Sequence, residues 1–184
     1  YDRLVDPHAD GVYTPRLATS WENSDDYMNA IFHLDENAVW HDGEPVTAED
    51  VVWTVKYYTD PNGPSTIPGY FNYLVGTDST GYRVEGEEFG AVAVDDHTVE
   101  FHLKQPKRVN AILDEMHRYF FTLPSHIYGQ YTSEQLKDTS IWAAPVGSGP
   151  FIYAAEIAAS QVEFTRNDNY WRDHGNVKNI IVAV

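Results

Sequence analysis

The sequence predicts an α/β fold of the mixed α+β kind, in which antiparallel hairpins alternate with inserted helices. Three observations carry that expectation. The stretches "YMNAIFHL" and "VEFHL" alternate apolar and polar residues, the period of half-buried strands. "TAEDVVWTVKYY" sets apolar residues at helical spacing behind a capping sequence. With 184 residues, 42% of them hydrophobic and 14% aromatic, the chain can bury a sizeable core.

Taken in order, "YDRLV" alternates and reads as a short strand, followed by a turn in "DPHADG". "TSWE", the turn "NSDD" and "YMNAIFHL" form a hairpin. Its second strand places Met28, Ala30, Phe32 and Leu34 on one face, with Asn29, Ile31 and His33 on the other. Asp42-Gly43 supplies a turn in which glycine accepts positive φ. Thr47 stands three residues before Asp50, an arrangement like a capping box with Asp in place of Glu. Val51, Val52, Val55 and Tyr58 then share one helical stripe, and "DPNGP" ends that helix.

From Ser65 to Glu88, glycine, tyrosine and polar residues predict mostly loop, with one short helix around Tyr70–Val75. "AVAV", "DDHT" and "VEFHL" predict a second hairpin with Val99, Phe101 and Leu103 on one face. "RVNAILDEMHRY" reads as a helix and "SHIYGQY" as the start of another. "GPFIYAAE" and "QVEFTRN" form a last strand pair, and the continuous apolar run "NIIVAV" reads as a buried strand. A chain seldom stops inside such a strand, so a fragment of something longer is expected.

Composition excludes several function classes. The 12 Lys+Arg against 28 Asp+Glu give −16, a field that repels phosphate backbones and anionic lipid, so no nucleic-acid or membrane-surface partner is expected. The absence of cysteine removes thiol nucleophiles, disulfides and Cys-ligated zinc. No apolar run approaches the roughly 18 residues of a membrane span. Residue 1 is Tyr, and no secretory leader is visible.

Motifs for chemistry fail one by one. "DPHADG" opens like a calcium loop, but the twelfth position falls on Leu17, which is no ligand. In "GSGP", Gly147–Pro150, the proline removes a phosphate-cradling donor, and the spacing is not that of a G-x-S-x-G elbow. Eight histidines form no H-E-x-x-H pattern; His33 and His102 fall on solvated strand faces, the latter beside Glu100. No metal, no cofactor and no catalytic constellation is expected. A secreted acidic glycan hydrolase is the rival reading, and it would need a carboxylate pair about 5–10 Å apart.

The ordered landmarks of the chain resemble one family. "PRLATSWENSDDYMNAIFHLDENAVWHDGEPVTAEDVVWTVKYYTDP" is similar to the family 5 extracellular solute-binding proteins, the oligopeptide-, dipeptide- and nickel-binding components of ABC importers. "VAVDDHTVEFHL", "PVGSGPFIY" and "RNDNYW" follow in the family's order. "FHLDEN" departs from the more usual F-x-L-R, so an ion pair made by that arginine is missing.

The resemblance implies a periplasmic-binding-protein-like fold of type II, cluster C. Residues 14–142 would be its extra domain, and 1–13 and 143–184 parts of the first lobe, with the second lobe absent. It implies a non-enzymatic substrate-binding subunit for peptides, with a metal chelate or sugar as the alternative ligand. It further implies a monomer that delivers solute to an ABC permease outside the cytoplasm, periplasmic or as a lipoprotein on a Gram-positive surface. The turn and helix of "WHDGEPVTAEDV" read as scaffold. In relatives an aromatic from the loop comparable to "IPGYFNYL" points toward the cleft, which makes Tyr70 the leading ligand-binding candidate, followed by Phe71 and Tyr73.

Overall fold

A computed structural model describes residues 1–8, 11–156 and 160–183. The first strand, β1 (Val5–Pro7), starts later than "YDRLV" suggests and pairs antiparallel with β2 (Tyr13–Pro15). Between them Gly11 N–H donates to His8 O at 3.0 Å, while Ala9 and Asp10 of the expected turn lie outside the described residues.

β3 (Ala18–Asn23) and β4 (Asn29–Leu34) form the expected hairpin. β5 (Ala91–Asp95) and β6 (Thr98–His102) form the second, and β6 inserts beside β4 to give the order β3-β4-β6-β5. The alternation in the sequence is what buries one face of this sheet. Ala30, Phe32 and Leu34 from β4 and Val99 and Phe101 from β6 are buried together, with the Phe32 and Phe101 rings 5.3 Å apart. On the opposite face His102 meets Glu100 at 3.2 Å, a partly solvated polar pair.

The helix α1 (Ala48–Tyr58) covers β5 and β6 with Val51, Val52 and Val55, each buried side chain contributing about 1.5–3 kcal/mol. Thr59 ends it by donating both its N–H and its hydroxyl to Val55 O, and the proline after Asp60 forbids continuation. α2 (Val109–Met116) buries Val109, Ile112, Leu113 and Met116 on one stripe. Its first N–H is satisfied from a neighbouring strand, Val109 N–H donating to Asn23 Oδ1 at 2.9 Å. The helix stops short of the expected Tyr119, because the N–H groups of Tyr119 and Phe120 both turn back onto Met116 O. α3 (Ser125–Tyr128) is a single turn, closed by Gly129 N–H on Ser125 O at 2.7 Å.

The segment around the Asp42-Gly43 turn and α1 are knotted together by one carboxylate. Asp50, 2% exposed, accepts from Thr47 N–H at 2.9 Å and Trp40 Nε1 at 3.1 Å on one oxygen. Its other oxygen accepts from Ser125 N–H at 2.8 Å and Ser125 Oγ at 2.6 Å. The Asp42-Gly43 turn forms as read, with Gly43 at φ 93° and its N–H on Trp40 O at 3.0 Å.

A third sheet, β7 (Phe151–Glu156), β8 (Gln161–Arg166) and β9 (Asn179–Ala183), runs in that order. The apolar run forms a strand as expected, but β9 is exposed rather than buried, with Ile181 59% accessible. Among the described residues β8 is its strand partner, and every residue of β9 is exposed; Val184 lies outside them.

His41 ties this C-terminal part to the Asp42-Gly43 turn. Its Nε2 donates to Gly149 O at 2.9 Å, while Nδ1 accepts from Gly147 N–H at 3.2 Å and its backbone N–H reaches Gly147 O at 2.8 Å. A carbonyl can only accept and an N–H can only donate, so the ring is held as the neutral Nε2–H tautomer. Burial pushes the His41 pKa down, against the raising influence of the Gly149 carbonyl and Asp42. "GSGP" is therefore a backbone clasp on an imidazole. Gly147 lets the ring approach, since a Cβ there would stand 3.1 Å from His41 Cε1.

Candidate functional site

The loop holding "IPGYFNYL" begins with a single 3-10 turn, Pro68–Phe71, slightly earlier than the helix expected around Tyr70–Val75. Pro68 explains the shift: its fixed φ suits the first position of a helical turn, where no N–H is needed. The turn is pinned from below by Gly81, at φ 90°, where a Cβ would fall 1.9 Å from Pro68 O. Only a glycine permits that approach. Farther along, Thr77 Oγ1 donates to Leu74 O at 2.8 Å, and Lys104 Nζ donates to Asn72 O at 2.7 Å, so the segment is held at both ends.

The three candidate aromatics take different positions. Phe71 is fully buried, at 0% exposure, stacked on Tyr58 at 6.1 Å and set edge-on to Phe120 at 5.9 Å. Burial pushes the pKa of the Tyr58 hydroxyl up to about 12. Tyr73 is 7% exposed and its hydroxyl has no hydrogen-bond partner among the described residues; Lys107 Nζ lies 4.5 Å from its ring centre. Burial drives the Tyr73 pKa well up, with the nearby Glu115 charge adding to it, so the hydroxyl stays neutral. Tyr70, between them in sequence, is half-buried and packs on Tyr119, with ring centres 5.3 Å apart and planes tilted by 30°. The structure thus buries Phe71 and Tyr73 in the core and leaves Tyr70 packed against that core but partly open to solvent.

Tyr119 is the residue that sequence reasoning passed over. The sequence puts it inside the helical run "RVNAILDEMHRY", whereas the early end of α2 turns it outward, 47% exposed, while Phe120 turns inward. A usable signal was present: "RYFF" puts three aromatics in a row, and a helix end cannot bury consecutive residues on one side. Two residues on, Phe121 packs under the Arg3 guanidinium at 4.8 Å, bringing the first segment of the chain beside this surface.

The Tyr70–Tyr119 pair offers two amphipathic faces with little side-chain entropy to lose on contact, suited to binding and to no chemistry. Among the described residues no group of three or more His, Asp or Glu side chains is placed to hold a metal ion. Nor is any helix there long and apolar enough to cross a membrane.

Comparison with known proteins adds a second line. A family model described as bacterial extracellular solute-binding proteins, family 5 middle, matches residues 12–184. The periplasmic oligopeptide-binding protein OppA of Haemophilus influenzae is 30% identical over 179 residues, covering 96% of this chain and 32% of the relative. The oligopeptide-binding protein AppA of Bacillus subtilis, solved with a nonapeptide, superposes with a TM-score of 0.79 at 21% identity over 100% of this chain and 34% of its own. NikZ of Campylobacter jejuni, solved with Ni(L-His), gives a TM-score of 0.77 at 23% identity, covering 98% of this chain and 32% of its own. At those identities the two structures speak for the fold. The chain spans about a third of the length of the curated relatives it matches.

Proposed function

The chain belongs to the bacterial extracellular solute-binding proteins of family 5, and from that premise we propose that it is part of the peptide-binding subunit of an ABC importer. The family match across residues 12–184 carries this reading. The preference for peptide over metal chelate or sugar is supported by the relative named as oligopeptide-binding. Function is then capture between two lobes and delivery to a membrane permease outside the cytoplasm, with no reaction.

In this proposal residues 14–142 form the extra domain, and 1–13 with 143–184 belong to the first lobe. The bonds that tie the two outer pieces together support it. Asp2 N–H donates to Ser148 Oγ at 3.1 Å, and the Asp2 carboxylate accepts from the Tyr170 hydroxyl at 3.0 Å. Burial raises the Asp2 pKa, with the Tyr170 bond working against that rise.

Ligand contact from this chain is assigned to Tyr70, the candidate whose ring reaches the surface, with Tyr119 beside it. The remaining contacts are supplied from the second lobe in the full-length protein. Mass spectrometry of the solute that co-purifies with the full-length protein tests the assignment. Short peptides are expected; a nickel chelate or a sugar in their place would contradict the ligand class.

A further inference from the structure

Outside that surface, the region around the β1–β2 hairpin runs against the charge of the chain. An open cleft of about 790 Å³ is lined by Arg3, Asp6, Thr14, Arg16 and Arg172 together with Pro7, His8 and Pro15. The chain carries −16, yet three arginines converge here against one carboxylate.

The partners of these guanidiniums are unequal. Arg16 is spent on Asp6 through a short ion pair. Arg172 donates from Nη1 to Pro15 O at 2.8 Å and lies over the Trp171 ring at 5.4 Å, which orients it without neutralising it. Arg3 rests on the Phe121 ring and has no carboxylate partner among the described residues. Asp2 lies nearby, bonded to the Tyr170 hydroxyl, but it does not line the cleft. Two fixed cations therefore face one open space. Guanidinium forks on aromatic platforms, with carbonyls fixing one of them, are pre-organised for the oxygens of a tetrahedral oxyanion.

We propose that this cleft binds a phosphate group, as free hydrogen phosphate or on a small phosphorylated molecule, with Arg3 and Arg172 as the ligating residues. The dianion matches the two guanidiniums that no carboxylate pairs among the described residues. The site is separate from the Tyr70–Tyr119 surface and does not depend on the transport reading.

Calorimetric titration of the protein with inorganic phosphate, at neutral pH and with ionic strength held constant by chloride, tests it. Saturable binding is expected, weakened at least about tenfold by Arg172→Gln and by Arg3→Gln and unchanged by Lys178→Gln on the exposed surface. Arg172→Lys, which keeps the charge but loses the fork, should fall between. Acetate, a monoanion, should bind more weakly than phosphate. Absence of saturable phosphate binding, equal affinity in a folded Arg172→Gln variant, or acetate binding as tightly as phosphate would each overturn the proposal. The arginines would then be no more than counter-charges on an acidic surface.

Discussion

Ser125 Oγ lies 2.6 Å from Asp50 Oδ1, a bond between residues 75 positions apart that fastens α3 onto the start of α1. The same carboxylate caps Thr47 and holds the Trp40 indole, so one buried side chain coordinates three segments. Asp50→Ala leaves those donors unpaired in the interior and should cost about 3 kcal/mol or more. Asp50→Asn should also destabilise, because both oxygens accept from N–H groups and an amide nitrogen on either side meets a donor. Thr47→Ala keeps the backbone bond to Asp50 and should cost about 1 kcal/mol or less. Urea unfolding of the three variants checks that ranking, and an unchanged midpoint for Asp50→Ala would remove the node.

His41 gives a pH dependence whose sign follows from its clasp. The folded ring has a pKa below the ordinary 6.5, so the unfolded chain takes up its proton first on acidification. The contribution of His41 is complete above 6.5, is lost as pH falls from there toward the lowered folded value, and falls no further below it. Melting temperatures followed across that window should drop less in His41→Gln than in the parent chain. Equal slopes would show that the ring titrates freely.

Much of this architecture is legible in the sequence where a single period decides it. The alternation of Ala30, Phe32 and Leu34, the stripe of Val51, Val52 and Val55, and the Asp42-Gly43 turn all depend on neighbours a few residues away. The end of α2 does not: it is set by where Phe120 must turn inward, a consequence of distant packing. β9 shows the converse: an apolar run announces a strand but not what covers it. For the candidate site, the sequence pointed to a loop without telling which ring faces out, since Tyr70, Phe71 and Tyr73 are alike in type. Asp50, read as a local cap, also reaches Ser125, and no local pattern signals that bond.

Gly81 supports the turn that carries Tyr70. Gly81→Ala forces a side chain into the left-handed region and against Pro68 O, so it should cost at least about 1–2 kcal/mol. Because the turn must shift to relieve the contact, peptide affinity of the full-length protein should fall as well. Retained affinity at reduced stability would show that the turn does not position a binding residue.

Phe71 separates core from surface. Its ring is sealed among Tyr58, Tyr73 and Phe120, and Phe71→Ala should lower stability by about 3–5 kcal/mol. Thermal unfolding of that variant, set beside Tyr70→Ala, should show a large loss for the first and a small one for the second. Similar losses in both would place Tyr70 in the core.

The most direct test is calorimetric titration of the full-length protein with short peptides, before and after Tyr70→Ala. Saturable binding is expected, and removal of the ring should weaken it roughly 5- to 150-fold, the equivalent of about 1–3 kcal/mol, while the ligand-free melting temperature moves little. Absence of peptide binding, or affinity left intact while the melting temperature falls, would contradict a peptide site at the Tyr70–Tyr119 surface.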